Sequence, residues 1–269
     1  MNSNDFNEKV KRNVAGNFDQ SLAFYQAFEA KHHFFAALAS TLAEKISLRP
    51  NTHVLDVGCG NGISSRTLNE RFGCRVLGVD LSSKMVAAGQ GELTSENVRL
   101  IVGDGERLAE VVGNQTFDYV LYNASIFIFP DVNRALQEAV ACLKPEGEIA
   151  FSFYPHLAGP TDEDLLIEAF DRVGEPRPRF RVITDYDKAC QALARHCGKV
   201  SQHRWVRPLD IEFLQDFFSI PAQSASLFPG MDYQARRKKI IHLFSGLSDI
   251  ADNGTIVWRM ARGKKPASV

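Results

Sequence analysis

The segment VLDVGCGNG, from Val54 to Gly62, decides how this chain of 269 residues folds. It starts as a short apolar run typical of a buried strand and continues into three glycines at alternate positions, Gly58, Gly60 and Gly62. Glycine is needed where a side chain would keep a ligand away from the backbone, or where a turn requires a positive φ. A tight strand-to-helix turn without a ligand would use the same residues. The glycines alone therefore leave a ligand-binding loop and a plain turn both open.

Apolar runs of strand length recur along the chain around this loop: HVLDV, CRVLGV, VRLIV, FDYVLY and GEIAFSFY. Stretches that favour helices lie at Arg66–Phe72, Lys84–Leu93 and Val132–Leu143, and Lys144–Gly147 is expected to form a tight turn into the fifth strand. Strands that alternate with helices build a parallel sheet covered on both faces. The sequence therefore predicts an α/β fold of the Rossmann-like, doubly wound type, with its core over residues 51 to 154.

The segments on either side of this core have a different pattern. From Ser21 to Ile46 apolar residues recur at helical spacing, which predicts one long amphipathic helix. Pro50 is expected to end it, because proline lacks a backbone donor and disfavours helix for the preceding residue. Beyond residue 155 the pattern predicts four helices and two strands, at Asp162–Val173, Asp187–His196, Val200–Val206, Ile211–Phe218, Gln234–Leu243 and Thr255–Ala261.

Composition places the chain among ordinary globular proteins. Apolar residues make up 45% and charged residues 23%, and the net charge of -1 gives no overall field that would favour nucleic acid or an anionic membrane. No apolar run approaches the roughly 20 residues of a membrane helix, and the first residues lack the apolar middle of a signal peptide. The five cysteines include no C-x-x-C pair, which predicts neither a disulfide framework nor a metal site. We expect a cytoplasmic protein without nucleic acid or membrane partners.

An acidic residue at the end of the second predicted strand favours a ligand at the glycine loop. Asp80 follows Gly58 by 22 positions, and an acid about 20 residues beyond such a loop is where ribose hydroxyls are bound. The glycine spacing differs from the G-x-G-x-x-G of dinucleotide sites. Asp56, just before the loop, would repel a pyrophosphate but suit a cationic amine or sulfonium. The pattern therefore favours a nucleoside ligand.

Over residues 51 to 154 the chain resembles the class I S-adenosylmethionine-dependent methyltransferases, in particular the small-molecule, methyltransferase type 11-like members. The shared motifs are Asp56–Gly62, Asp80-Leu81-Ser82, Gly103-Asp104, Phe117-Asp118-Tyr119-Val120 and Leu143-Lys144-Pro145-Glu146-Gly147. The resemblance implies S-adenosylmethionine as cofactor and a seven-stranded, mostly parallel sheet with an antiparallel last strand. It also implies an N-terminal helical cap at 1–50, a cofactor-binding core at 51–154, and a substrate lid with the final strands at 155–269.

The resemblance further implies which residues hold the adenosine part of the cofactor. Asp80 would bind the ribose hydroxyls, and Leu81 would pack on adenine. Asp104 would receive the adenine amino group, with Gly105 alongside. Each acid also has a structural alternative, because Asp80 could merely cap the helix that starts near Ser83, and Asp104 could cap a turn.

Four further residues are implied at the methionine part of the cofactor. Gly58 and Gly60 would let it approach the backbone, while Asp56 and Asn123 would serve its amino acid end. In this family the methyl group moves from a sulfonium to a nucleophile in one in-line displacement, and the leaving group is a neutral thioether. The protein's task is then orientation and exclusion of water, and no catalytic residue is assigned.

The resemblance places selection of the acceptor in the N-terminal helix and in the segment after the fifth strand. The candidate substrate residues are Phe18, Tyr25, Phe127, Tyr154 and His156. His156 could supply a general base or be an exposed loop histidine with no role, and Phe127 could belong to the ordinary core. Aromatic residues are frequent in both segments, which predicts that they fold over the strand ends as an apolar lid: Phe18, Tyr25, Phe28, Phe180, Tyr186, Trp205, Phe217 and Phe228.

Two other functions remain open at this point. A protein of the same fold could bind S-adenosylmethionine without catalysing any transfer. An NAD-dependent oxidoreductase is disfavoured, because neither G-x-G-x-x-G nor a Tyr-x-x-x-Lys proton donor occurs. The segment that begins at Asn123 does not match the motif of amino-methylating nucleic acid enzymes, which favours a small organic acceptor.

Overall fold

A mixed eight-stranded sheet forms the centre of the protein, as seen in a computed structural model that describes residues 3–178 and 182–266. The strands are β1 (His53–Val57), β2 (Arg75–Asp80), β3 (Val98–Val102), β4 (Phe117–Tyr122), β5 (Leu143–Ser152), β6 (His156–Ala158), β7 (Val200–Pro208) and β8 (Thr255–Lys264). Their order is β3-β2-β1-β4-β5-β8-β6, and β7 also pairs with β8. β1 to β5 are parallel, whereas β8 runs antiparallel to β5, β6 and β7. The predicted α/β class and the antiparallel last strand are confirmed.

Eleven α-helices are described around this sheet. They are α1 (Ser3–His32), α2 (Phe34–Lys45), α3 (Ile63–Phe72), α4 (Ser83–Gly91), α5 (Leu108–Val112), α6 (Val132–Ala141), α7 (Leu165–Arg172), α8 (Tyr186–Cys197), α9 (Ile211–Ser219), α10 (Pro221–Ser224) and α11 (Tyr233–Ser245). The predicted crossover helices and the predicted helices and strands after residue 155 are all present, with ends that differ by a few residues.

The strand order reverses at β1, and this reversal positions the site. β2 pairs with one edge of β1 and β4 pairs with the other. The chain therefore leaves the strand ends in opposite directions and opens a crevice at the carboxyl end of β1, which is where open α/β sheets bind ligands. Residues Val54 to Val57 are all buried, as expected for a strand covered on both faces.

The sequence predicts seven strands, whereas the described sheet has eight. The additional strand is β6, only three residues long, which pairs antiparallel with the start of β8 through Leu157 and Ile256. Two hydrophobic residues of β6, Leu157 and Ala158, are buried. An apolar stretch this short, directly after β5, has no periodicity from which a strand could be predicted.

The predicted single helix from Ser21 to Ile46 is wrong. The structure has two helices, and the first begins at Ser3. The chain breaks at His33, whose φ of 47° lies in the left-handed region. The carboxylate of Glu29 accepts hydrogen bonds from the backbone N–H groups of Phe35 and Ala36, at 2.8 and 3.0 Å. This side chain from the end of α1 therefore satisfies the free donors at the start of α2.

The tight turn predicted at Lys144–Gly147 is also wrong, because these residues lie within β5. The pairing between β4 and β5 shifts register between the pairs Phe117–Leu143 and Tyr119–Glu148. Glu146 has a φ of 65° at this irregularity. The segment is therefore a bulge in the strand rather than a connection before it.

Helical segments from both ends of the chain pack together on the sheet through aromatic rings. Phe34 of α2 contacts the rings of Phe213 and Phe217 of α9 and that of Trp258 of β8, with centroid distances of 5.2, 5.9 and 4.8 Å. Phe28 of α1 joins the same cluster. The N-terminal segment thus shares a core with the segment after β5, and the division into three regions stays a prediction.

The five cysteines are buried free thiols. Within the described ranges, no group of three or more His, Cys, Asp or Glu side chains is placed to hold a metal ion. None of the described helices has the length and apolar character needed to cross a membrane.

Candidate functional site

The glycine loop between β1 and α3 requires glycine for two different reasons. Gly58, Gly60 and Gly62 have φ values of 73°, 55° and 77°, in the region that L side chains rarely adopt. A Cβ on Gly58 would lie 2.5 Å from the Cβ of Ser125, so this position also needs glycine for packing. A Cβ on Gly60 would meet no atom within 4 Å. The loop therefore leaves open space beside Gly60, as a ligand would require.

Asp80 at the end of β2 holds the glycine loop in place. Its Oδ2 atom accepts a hydrogen bond from the Gly60 N–H, and its Oδ1 atom accepts one from the Ser82 N–H, both at 2.8 Å. Burial raises the pKa of Asp80 above the ordinary value. The helix cap at this point is Ser82, whose Oγ atom accepts from the Met85 N–H. The capping alternative for Asp80 is therefore wrong.

Two cavities open at the carboxyl ends of the first strands. The first, called here the acid cavity, contains about 640 Å³ of empty space between the two acids, and its lining includes Gly58, Asp80, Leu81, Asp104 and Gly105. The second, the glycine cavity, contains about 440 Å³ and is lined in part by Gly58, Gly60, Asn123 and Tyr25. Both are also bounded by Phe18 and Ala124, so the two cavities adjoin each other.

Helix α1 covers the acid cavity with Lys11, Val14, Ala15 and Phe18, which recur at helical spacing on one face. Sequence reasoning singled out Phe18 but missed Lys11. The helical spacing of this cation and the three apolar residues is the sequence pattern that could have indicated Lys11. The predicted N-terminal helix started ten residues too late to include Lys11.

Lys11 joins α1 to two carboxylates at the acid cavity. Its Nζ atom lies 2.7 Å from Asp104 Oδ2 and 2.8 Å from Glu106 Oε2. Burial lowers the pKa of Lys11, but the hydrogen bonds to the two carboxylates outweigh this effect and hold the pKa above its ordinary value. The other oxygen of Asp104 accepts from the Glu106 N–H, so Asp104 does cap a turn as well. The turn and the cavity therefore use different oxygens of this carboxylate.

Asp56 lies beneath the loop and lines neither cavity. Its Oδ2 atom accepts from the Ser65 hydroxyl at 2.7 Å, while its Oδ1 atom has no hydrogen-bond partner among the described residues. Burial raises the pKa of Asp56 to about 7. Asn123, by contrast, is fully held at the wall of the glycine cavity: its amide donates to Ser64 Oγ and the Phe35 carbonyl and accepts from Ser152 Oγ.

A third cavity, called here the apolar chamber, adjoins the other two. It contains about 1270 Å³ of empty space, and Phe127 and Tyr154 contribute to its lining. Phe18 borders the acid cavity, the glycine cavity and the apolar chamber. Gln223 lines the chamber, and Tyr25 lines the glycine cavity. A hydrogen bond of 2.7 Å from Gln223 Nε2 to Tyr25 Oη links the walls of these two cavities. Sequence reasoning gave no indication of Gln223.

The structure does not bring His156 to this site. Its ring lines a separate cavity at the β6–β8 edge of the sheet, together with Asp162, His203 and Arg259. The His156 Nε2 atom lies 3.7 Å from the Asp162 carboxylate. A general base at the crevice is therefore not supplied by His156, and this prediction is wrong.

The predicted lid is only partly aromatic. Phe18 and Tyr25 border the cavities, whereas five of the other candidates pack in the core and line none of the three: Phe28, Tyr186, Trp205, Phe217 and Phe228. Phe180 lies outside the described residues. The covering surface over the cavities is aliphatic on α1, with Val14 and Ala15 beside Phe18.

The fold and the glycine loop with its two acids agree with the resemblance to class I S-adenosylmethionine-dependent methyltransferases, and comparison with known proteins finds similarity to the same family. Residues 55–151 match the family model described as a methyltransferase domain. The chain is 31% identical over 156 residues to the nocamycin O-methyltransferase of Saccharothrix syringae, a match that covers 56% of this chain and 52% of that protein. This chain therefore matches about half the length of that relative.

A second relative and a solved structure extend the comparison. The aklanonic acid methyltransferase of Streptomyces sp. strain C5 is 29% identical over 200 residues, covering 69% of this chain and 89% of that protein. The phosphoethanolamine N-methyltransferase 2 of Haemonchus contortus, solved with phosphomonomethylethanolamine and S-adenosylhomocysteine, superposes with a TM-score of 0.62 at 18% identity. It covers 92% of this chain and 58% of that one, and at this identity it shows the fold alone.

S-adenosylmethionine, the cofactor of this family, fits the residues that line the two joined cavities. The open space beside Gly60 leaves room for a ligand against the backbone. Asp80 and Asp104 both line the acid cavity, and their carboxylates are acceptors for hydroxyl and amino groups. The unpartnered Oδ1 of Asp56 adds negative character below the loop, which suits a cationic ligand.

Proposed function

We propose that this protein transfers the methyl group of S-adenosylmethionine to a small organic acceptor. The observation that supports this proposal best is the meeting of three cavities at Phe18: the acid and glycine cavities on one side and the apolar chamber on the other. A methyl donor held in the first two cavities would place its reactive centre near this junction. An acceptor in the chamber would then approach it without entering water.

The adenosine part of the cofactor would occupy the acid cavity. Asp80 would accept hydrogen bonds from the ribose hydroxyls, since each of its oxygens has taken only one backbone N–H. Leu81 would pack on adenine, and Asp104 and Gly105 would lie at the adenine amino group. The amino group and Lys11 would then share the Asp104 carboxylate or compete for it.

The methionine part would occupy the glycine cavity. Gly58 and Gly60 would leave its path along the backbone free, and Asn123 would lie at its amino acid end. Asp56, one layer below, would act on the cationic groups through charge rather than contact. The hydrogen bonds that already hold Asn123 would keep its position fixed when the cofactor binds.

The cofactor supplies a methyl group on a cationic sulfur, whose leaving group is a neutral thioether. Proton transfer to that leaving group is not needed, so the chain's residues contribute orientation and exclusion of water. Burial raises the pKa of Tyr25 well above the ordinary value, so its hydroxyl stays protonated at neutral pH and acts as a hydrogen-bonding group rather than a base. The name of the nocamycin O-methyltransferase supports an oxygen nucleophile in the acceptor.

A methyl-transfer screen tests this proposal. Radiolabelled S-adenosylmethionine and a panel of small metabolites would be incubated with the wild-type protein and with Gly60→Val, in which the cofactor path is blocked. Labelled product with the wild type alone is the expected result. Tight binding of S-adenosylhomocysteine without transfer to any metabolite would instead favour a binding protein of the same fold.

A further inference from the structure

The apolar chamber is lined mainly by hydrophobic side chains. Its described lining residues include no carboxylate, ammonium, guanidinium or imidazole group. Hydrophobic side chains from α1, from the segment after β4 and from residues 182–183 and 222–225 form most of the wall. The polar side chains present are uncharged amides and hydroxyls, among them Asn17 and Gln223.

We propose that this chamber takes an acceptor with an apolar, uncharged body and a single acidic hydroxyl or carboxyl group, which is the atom that receives the methyl group. The inference rests on the proposed function and names the substrate class for it. The acidic oxygen would lie at Phe18, and the apolar body would extend toward Phe6 and Ile183. These two side chains are 53% and 45% exposed and mark the mouth of the chamber.

The lining determines which molecules can enter. A charged group in this chamber would lose its hydration without gaining a partner of opposite charge from the described wall, and that transfer is costly. Small phosphorylated or zwitterionic acceptors are therefore disfavoured. An apolar body gains free energy by covering the hydrophobic wall.

The acidic oxygen of the acceptor is the one charged group that could enter the chamber, because the cationic cofactor would be its partner of opposite charge. Tyr25 of the glycine cavity and Gln223 of the chamber are hydrogen-bonded to each other and uncharged. Neither can remove a proton from the acceptor. The acceptor would then arrive already ionised, and its anion would face the positive sulfur, which supplies the positive charge that the described part of the chamber wall does not provide.

The transfer is balanced without a protein base. The acceptor loses its proton to water before it enters the chamber. Its oxygen then forms a bond to the methyl carbon as the carbon–sulfur bond breaks, and the electron pair of that bond remains on sulfur. The products are an uncharged methyl ether or ester and an uncharged thioether, so charge neutralisation accompanies the reaction.

A neutral fluorescent probe tests where the chamber lies. N-phenyl-1-naphthylamine would be titrated into the wild type, Val10→Lys and the control Ile241→Lys. Val10 lines the chamber but neither cofactor cavity, whereas Ile241 is an exposed helical residue on α11. We expect Val10→Lys to weaken probe binding about tenfold or more, because an ammonium in the chamber wall disfavours an apolar ligand, while the control binds like the wild type. Equal binding by all three proteins would overturn the proposal.

The charge of the acceptor is tested by displacement of the same probe from the wild type. We compare 2-hydroxy-1,4-naphthoquinone, an acidic enol, with 1,4-naphthoquinone and with phosphoethanolamine. Sinefungin, which carries an amine in place of the methylsulfonium group, should strengthen displacement by the enol about fivefold or more relative to S-adenosylhomocysteine, because it restores the positive charge. The unsubstituted quinone should show no such difference. Displacement by phosphoethanolamine, or equal effects of the two cofactor analogues, would overturn the proposed substrate class.

Binding of S-adenosylhomocysteine is measured in parallel for all three proteins. Equal affinity in Val10→Lys and the wild type is expected, since Val10 touches neither cofactor cavity. A wild type that binds the naphthylamine probe but not S-adenosylhomocysteine would refute the proposed function. A wild type that binds S-adenosylhomocysteine but not the probe would refute the chamber proposal alone.

Discussion

The Nζ atom of Lys11 lies 2.7 Å from the Oδ2 atom of Asp104, although 93 positions separate the two residues in the chain. The contact joins α1 to the strand ends at the place where the adenine amino group of the cofactor would lie. Glu106 accepts the same ammonium at 2.8 Å and is almost completely buried. The Lys11 ammonium therefore lies between two carboxylates and holds α1 over the acid cavity.

Replacement of this cation should destabilise the protein. In Lys11→Met the hydrophobic stem is kept, but Asp104 and Glu106 lose the ammonium that both contact within 3 Å, and breaking a buried ion pair costs about 3–5 kcal/mol. The control is Lys31→Met, which removes a cation that contacts Glu212 and Asp216 on the surface and should destabilise the protein much less. Denaturant unfolding measures both. If both variants lost the same free energy of unfolding, the Lys11 ion pair would not be buried in solution.

Binding of the cofactor should order the covering segments. Because α1 lines the acid cavity and residues 222–226 line the adjoining chamber, S-adenosylhomocysteine should slow amide hydrogen exchange in α1 and in the region from about 175 to 235. The comparison is exchange with and without the ligand. Protection restricted to the glycine loop and the strand ends would show that these segments do not act as a lid.

Valine at position 60 should abolish cofactor binding. Gly60 has a φ of 55° and faces open space, so a branched side chain would be strained and would also fill the path of the ligand. Gly174→Val is a matched control, because Gly174 has a φ of 68° and likewise has no atom within 4 Å of an added Cβ. Both variants should lose about 1–3 kcal/mol of stability. Normal binding by Gly60→Val would show that the loop does not contact the cofactor.

Removal of the Asp80 carboxylate should weaken binding of S-adenosylhomocysteine by about 1–3 kcal/mol, because the ribose hydroxyls would be left unpaired. Asp80→Ala also removes the acceptor of the Gly60 N–H, so a control with a similar backbone bond is needed. Asp118→Ala provides it: Asp118 accepts from the His53 N–H at 2.8 Å, at the opposite end of β1. Equal affinities of the two folded variants would contradict the ribose assignment.

The stability of the protein should fall as the pH rises toward neutrality because of Asp56. Burial raises its pKa to about 7 in the folded protein, whereas an unfolded aspartate titrates near 3.9. Between these values the folded state holds more protons than the unfolded state, so the free energy of unfolding decreases with pH by up to about 1.4 kcal/mol per unit and levels off above pH 7. In Asp56→Asn the free energy of unfolding should lack this decrease with pH. If the free energies of unfolding of the wild type and Asp56→Asn changed in parallel from pH 4.5 to 8, the raised pKa of Asp56 would be refuted.

The sequence predicted the parallel core and both acids of the acid cavity because these features are local. Asp80 and Asp104 end strands whose apolar runs are visible in the chain, and Gly58 and Gly60 follow β1 directly. In a parallel sheet the carboxyl ends of neighbouring strands meet at one edge, so their approximate positions followed from strand order.

Most of the parts that failed depend on contacts between distant segments. The Lys11 contact spans 93 positions, whereas the break at His33 is local and involves the Glu29 carboxylate at the start of the next helix. Gln223 borders the chamber only because α10 packs against α1. His156 follows β5 as predicted, but its pairing with β8 turns it to another edge of the sheet. Periodicity and motif spacing carry no information on such approaches.

A calorimetric titration of the wild-type protein with S-adenosylhomocysteine, repeated with NAD, tests the central claim most directly. The claim is that the joined cavities beneath α1 hold the cofactor of a methyltransferase. We predict saturable binding of one S-adenosylhomocysteine per chain, weakened in Asp80→Ala and absent in Gly60→Val, with no heat of binding for NAD. Binding of NAD, or the absence of S-adenosylhomocysteine binding by a folded wild type, would contradict it.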